Sequence, residues 1–187
     1  MKKRVLLYVL PLFFLWSCAA WVMVGGKHSE LSQNYEVDLP SGWRRFNLST
    51  DAVRLTKDAI TLQLITIARV PVDRELPHTK KKLSKGMLPQ EAAEVITDNI
   101  RSNPNTANPQ VAENSPATVG GYPGFKLIYS YQTKQGVKIK SAYYGVILED
   151  WHYYLLYEAP ERYYFARDYP VFEKVKETFR VTKGGTA

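Results

Sequence analysis

Gly120-Gly121-Tyr122-Pro123-Gly124-Phe125-Lys126-Leu127-Ile128-Tyr129-Ser130-Tyr131, with the residues that follow it as far as Glu158, carries the most regular pattern in the chain. Phe125, Leu127, Tyr129 and Tyr131 alternate with Lys126, Ile128, Ser130 and Gln132, the period of a strand. Lys134-Gln135-Gly136 reads as a hairpin into a second strand over 137–148, and Glu149-Asp150 as a turn into a third over 151–158. Links that short join only antiparallel neighbours. Upstream, 110–119 reads as a weaker strand leading into the turn at 120–124. The expected fold class is therefore α+β, built on an antiparallel sheet.

Moving outward, the period changes after Pro160, where Phe172, Val175 and Phe179 share a helical stripe. On the other side Pro89-Gln90-Glu91 opens a helix, with Pro at an early position where its missing N–H costs nothing. Ala92, Val95, Ile96 and Ile100 supply its apolar face, and Asn103-Pro104 ends it. Residues 70–88, with Pro71, Pro77, Lys80-Lys81-Lys82 and Lys85, read as a solvated irregular loop. Before that, 52–56 and 60–70 read as a hairpin around Lys57-Asp58, with Ile60, Leu62 and Leu64 on one face. Asn34 to Leu39 alternates like a strand, and Pro40-Ser41-Gly42 reads as a turn delivering Trp43 to the core. The boundaries predict one domain over 34–183, preceded by a membrane-proximal tether at 19–33.

The chain has 187 residues, 45% hydrophobic and 23% charged, a globular composition. Its 13 tyrosines against 7 Phe and 4 Trp suit half-buried strands. The formal charge is +7, but without Lys2, Lys3 and Arg4 the remainder holds 22 basic against 18 acidic residues. That excess is compatible with an anionic membrane surface and too diffuse for nucleic acid, so no nucleic-acid partner is expected. Cys18 is the sole cysteine, which excludes a disulfide, a thiol nucleophile in the domain and a cysteine metal site.

Residues 1–18 read as a targeting segment. Lys2-Lys3-Arg4 is followed by an apolar run from Val5 to Leu15 and then by Leu15-Trp16-Ser17-Cys18. This resembles the bacterial lipoprotein signal, with Trp16 where that pattern usually has a small or β-branched residue. The resemblance implies a lipid, such as palmitate, on Cys18. Ala19, standing where Asp would signal retention, implies the outer membrane if the host has one. The alternative is an uncleaved helix, because apolar residues continue to Gly26 and reach about 22, enough to span a bilayer. The basic start places the N-terminus in the cytoplasm. Either anchor puts the domain in the cell envelope, on the exported side of the inner membrane.

Candidate chemistry is sparse. There is no Gly-x-Ser-x-Gly elbow and no His-Glu-x-x-His, and Gly120–Gly124 lacks the phosphate-loop spacing and its Lys-Ser/Thr ending. His152 is the only histidine on a predicted strand. With Glu149 and Asp150 it forms the one cluster of metal-compatible atoms, read as a polar turn. No catalytic residue, metal or cofactor is expected. Tyrosines fall in three adjacent pairs, Tyr143-Tyr144, Tyr153-Tyr154 and Tyr163-Tyr164, and the first two, lying in strands, put aromatics on both faces of the sheet. Core packing is the default for them. The functional alternative is an aromatic platform for glycan, lipid or peptide, formed by Tyr144 and Tyr154 with Lys138 and Lys140.

The order of strand, Trp turn, hairpin, helix, antiparallel strands and final helix resembles the PsbP-like fold, an α/β/α sandwich shared with the Ran-binding Mog protein and several bacterial envelope lipoproteins. The likeness is carried by Tyr35-x-Val37-x-Leu39-Pro40-x-Gly42-Trp43, by Gly120-Gly121-Tyr122-Pro123-Gly124, and by the closing stretch through Phe165 and Phe172. It implies architecture more than activity. The function expected is a non-enzymatic lipoprotein that binds or supports an envelope protein partner, or else a small-ligand or glycan-binding module.

Overall fold

The computed structural model describes residues 21–47 and 51–182. They form β1 (Trp21–Glu30), β2 (Tyr35–Phe46), β3 (Ala52–Thr56), β4 (Leu64–Pro71), α1 (Pro89–Arg101), β5 (Ala107–Val119), β6 (Tyr122–Gln132), β7 (Lys138–Leu148), β8 (Trp151–Pro160), α2 (Ala166–Thr178) and β9 (Arg180–Val181). A 3₁₀ turn, Leu31–Gln33, joins β1 to β2, and a π-helical turn, Glu161–Phe165, leads into α2. The strands make one antiparallel sheet in the order β1-β2-β3-β4-β8-β7-β6-β5, with β9 also paired to β2. The expected α+β class with an antiparallel sheet and two helices is therefore present.

The alternation in β6, β7 and β8 assigns side chains to two cores. Ile128, Ala142, Tyr144, Val146, Tyr153, Leu155 and Tyr157 pack with Phe172 and Val175 of α2 and with Phe179 just after it. Leu127, Tyr129 and Tyr143, on the opposite parity, pack with Ala92, Ala93 and Ile96 of α1 and with Val72 and Leu83 of the preceding loop. Tyr143 is paired with Leu127 on one side and Leu156 on the other, so the parity holds across three strands.

Four expectations change. The tether is not a tether: Trp21 to Glu30 form β1, in register with β2 from Trp21↔Phe46 to Glu30↔Tyr35. Val24 packs against the core and Arg45 of β2 meets Glu30 at 3.1 Å, contacts that a solvated leash does not make. Pro40-Ser41-Gly42 is likewise no turn. It is an irregularity inside β2, where Gly42 takes φ 78, with Gly26 at φ 81 near the register shift of β1. Both sit in the left-handed region that glycine enters at little cost. The link between β3 and β4 covers 57–63, and burial follows Ile65 and Ile67 while Ile60 is exposed, because Gln63 turns inward to bond Asp58 and Asp168. Finally, Tyr122 and Pro123 belong to β6, which confines the tight turn to Gly120-Gly121.

Candidate functional site

α1 and the loop before it cover only part of their face of the sheet. The uncovered part is a cleft of about 720 Å³. Its floor is Tyr129 and Tyr131 of β6, Tyr143 of β7, and His152, Tyr154, Leu156 and Glu158 of β8. One wall is Ile96, Asn99 and Ile100 of α1, and the other comes from 74–78. The loop is held in place by the His78 amide, which donates to Asn99 Oδ1 at 3.0 Å, and by Lys81, which pairs with Asp98 at 2.7 Å.

Aromatic rings stack across this floor. Tyr143 lies 5.4 Å from Tyr154 at an interplanar angle of 7°, and Phe125 lies 6.2 Å from His152 at 2°. The strand alternation produces this row, since Phe125, Tyr143, His152 and Tyr154 all fall on one parity. Gly145 leaves the space that the rings of Phe125 and His152 occupy. His152 is 1% exposed, and its Nε2 lies 2.6 Å from the Tyr143 hydroxyl. Burial lowers its pKa to about 4, against a weaker opposing pull from the backbone of Val146, so the ring is neutral at physiological pH. Either neutral tautomer satisfies this hydrogen bond, Nε2 accepting from the hydroxyl or donating to it. Burial also pushes the hydroxyls of Tyr129 and Tyr143 far above the usual phenol range, so neither is an accessible base.

Glu158 is the acid on the floor of the cleft, with Asp51 and Glu75 also on its lining. Its Oε1 accepts from Tyr131 at 3.2 Å and from Ser141 at 3.4 Å. Burial raises its pKa more than these two bonds lower it. The cleft thus offers ring faces, hydroxyls, the carboxyl groups of Glu158, Asp51 and Glu75, and the guanidinium groups of Arg69 and Arg74. That set suits recognition of a ligand with both apolar and hydrogen-bonding surface.

The sequence-predicted platform is divided by the sheet. Tyr154 lines the cleft, whereas Tyr144 faces the other way and donates to Glu173 of α2 at 2.9 Å. Lys138 pairs with Glu161 at 2.7 Å, and Lys140 lies 5.2 Å from the centre of the Phe165 ring. The four residues therefore share no single surface. A period-two strand separates Tyr144 from its neighbour's face, and β8 enters out of phase with it, pairing Tyr144 with Leu155. Tyr129, Tyr131 and Glu158 were missed as site residues. Their signal was the parity of β6 and β8, which becomes informative only once the register between them is known.

Among the described residues no group of three or more His, Cys, Asp and Glu is placed to hold a metal ion. Asp150 is exposed in its turn while His152 is buried, so the two do not converge. Among the described residues no helix is long and apolar enough to cross a membrane. Cys18 lies outside the described residues.

No protein-family model matches the chain, and no curated protein matches it in sequence. Solved structures do. Cyanobacterial PsbP (CyanoP) from Synechocystis sp. PCC 6803 matches with a TM-score of 0.57 at 14% identity, over 87% of this chain and 93% of that one. The Saccharomyces cerevisiae Ran-binding protein Mog1p matches at 0.56 and 10% identity, over 87% and 97%. A crystal structure from Bacteroides thetaiotaomicron matches at 0.54 and 13%, over 86% of this chain and 50% of that one. Identities this low establish architecture alone, and the architecture they establish for this chain is the PsbP/Mog-like fold.

Proposed function

We propose that this chain is an exported, membrane-tethered binding domain without catalytic activity, and that the tyrosine cleft is where it holds its ligand. The cleft is the observation that carries this reading. Its volume falls within the range of roughly 300–1,000 Å³ common to small-molecule sites, and it is walled by aromatic rings with a few hydrogen-bonding groups. Of the two imidazoles that line it, His152 is buried, stacked on Phe125 and bonded to Tyr143, and His78 lies in the wall loop with its amide bonded to Asn99. The α1 and α2 cores on opposite parities support an α/β/α sandwich, with the cleft on the α1 side.

The membrane tether rests on Cys18 and its preceding apolar run. β1 bears on the choice of anchor: with Trp21 onward in the sheet, the apolar run is limited to the sixteen residues 5–20. That is short of the ~20 a spanning helix takes, which favours lipid on Cys18 over an uncleaved helix. Intact mass of the membrane-extracted chain tests it, with Cys18→Ala as the control. A mass lacking acyl groups would remove the lipoprotein reading.

A second reading, a protein partner near the membrane, draws support from the occurrence of this fold in the Ran-binding yeast protein. One experiment separates the two. A photocrosslinking residue placed at Tyr154 in the full chain in cells is expected to capture a small molecule, seen as a mass adduct. Capture of a second polypeptide would favour the protein partner instead. Adducts no more frequent than from exposed Lys134 would end both readings of the cleft.

A further inference from the structure

The start of the domain bears a surface with a specific chemistry. In the β1–β2 pair, Trp21 stands opposite Phe46, and Met23 opposite Arg44. By period two these four share one face, and the opposite face carries Val24 and buried Trp43 into the core. The outward face is thus aromatic and aliphatic, with Trp21 and Phe46 in contact at 5.0 Å and Met23 62% exposed. Exposed Arg44 adds a positive charge to it. A face of Trp, Phe and Met beside Arg matches the headgroup region of a bilayer, where Trp settles at the interface and Arg meets anionic lipid.

The spacing of the chain decides what covers it. Three residue steps separate Cys18 from Trp21, no more than about 11 Å fully extended. An anchor ending at Cys18 or Ala20 therefore holds β1 within side-chain reach of the headgroups. The geometry points to a membrane-docking surface made by Trp21, Met23, Arg44 and Phe46, on which the domain rests against an anionic bilayer in a fixed orientation. The inference rests on the membrane-tether reading and goes beyond it: the anchor alone predicts attachment, while this surface predicts contact and orientation.

Site-specific photocrosslinking of the full chain tests it in vesicles of phosphatidylethanolamine and phosphatidylglycerol. p-Benzoylphenylalanine is placed at Met23 or, as control, at Lys134 in the exposed β6–β7 hairpin. The expected result is a phospholipid adduct from position 23 in at least several-fold excess over position 134. Arg44→Glu should lower the yield at 23 several-fold while leaving the chain membrane-bound. Equal yields at 23 and 134 in a chain whose intact mass shows lipid on Cys18 would overturn the docking surface and leave the tether standing. A chain-to-chain adduct at 23 would overturn it in favour of a second copy on this edge strand. A chain with no lipid that also fails to partition with vesicles would overturn the tether and the docking surface together.

Discussion

Gly145 lies in β7 where a β-carbon would fall 2.7 Å from Phe125 Cε1 and 2.9 Å from His152 Cε1. Those rings are stacked and buried, so they have no free direction in which to give way. Gly145→Ala should therefore destabilise the domain by about 1–3 kcal/mol, as overpacking does in dense cores; urea unfolding measures it, and an unchanged midpoint would refute the packing argument. His152 sets a pH dependence. Its folded pKa of about 4 lies below the unfolded 6.5, so between those values the unfolded chain binds the extra proton. Stability should be complete above pH 6.5 and fall towards pH 4, by on the order of 3 kcal/mol. His28, lowered first by burial and then by Arg45, acts in the same direction. Glu158, raised by burial, acts in the opposite one, since it favours the folded state as protons are added. The difference between wild type and His152→Phe isolates the His152 share: the variant should show a visibly flatter stability profile over this window.

At the scale of elements, β1 carries the largest revision. Alternation is weak in Trp21–Glu30, and its two glycines and polar C-terminal half read as a leash. What makes it a strand is its partner. β2 offers a complete edge, and across the pair Arg45 forms an ion pair with Glu30 and lies within hydrogen-bond distance of His28, all three half-buried. A chain beginning at Asn34 should therefore be less stable than one beginning at Trp21, by more than about 2 kcal/mol or roughly 4–8 °C in Tm. Equal melting temperatures would show that β1 is a passive addition. α1 was readable in advance, because Pro89 and the stripe of Ala92, Ile96 and Ile100 lie within thirteen residues of local sequence. Its hold on the cleft-side loop was not readable, since it depends on Asn99 meeting the His78 amide 21 residues away. Asn99→Ala removes that acceptor, worth about 1 kcal/mol, and should speed hydrogen exchange at His78 roughly five-fold. Exchange unchanged within error would show that Lys81–Asp98 and the loop's own bonds suffice.

For the whole molecule, the sheet places an aromatic cleft on the α1 side and an aromatic-basic surface at its beginning. If lipid on Cys18 is the anchor, Cys18→Ala should move the chain from the membrane to the soluble fraction without altering its melting temperature. A lipid site that serves only as anchor contributes nothing to the fold, so a large drop in stability would contradict that assignment. Arg44→Glu, by contrast, should leave membrane partitioning intact and change only the contact made by β1.

Sequence by itself determined the class of fold, because the strands from Tyr122 to Pro160 are joined by short links that permit only antiparallel neighbours. It determined both helices as well, since a helical stripe is a local property of spacing. It also marked Cys18 as the candidate anchor. Tertiary structure decided the rest. Whether Trp21–Glu30 is leash or strand depends on a partner edge, and whether Tyr144 and Tyr154 share a surface depends on register. The cleft exists because α1 covers only part of its face, and coverage follows from where distant segments pack. A single strand's parity divides its residues between two faces, but only pairing with its neighbours shows which face meets a helix and which stays open.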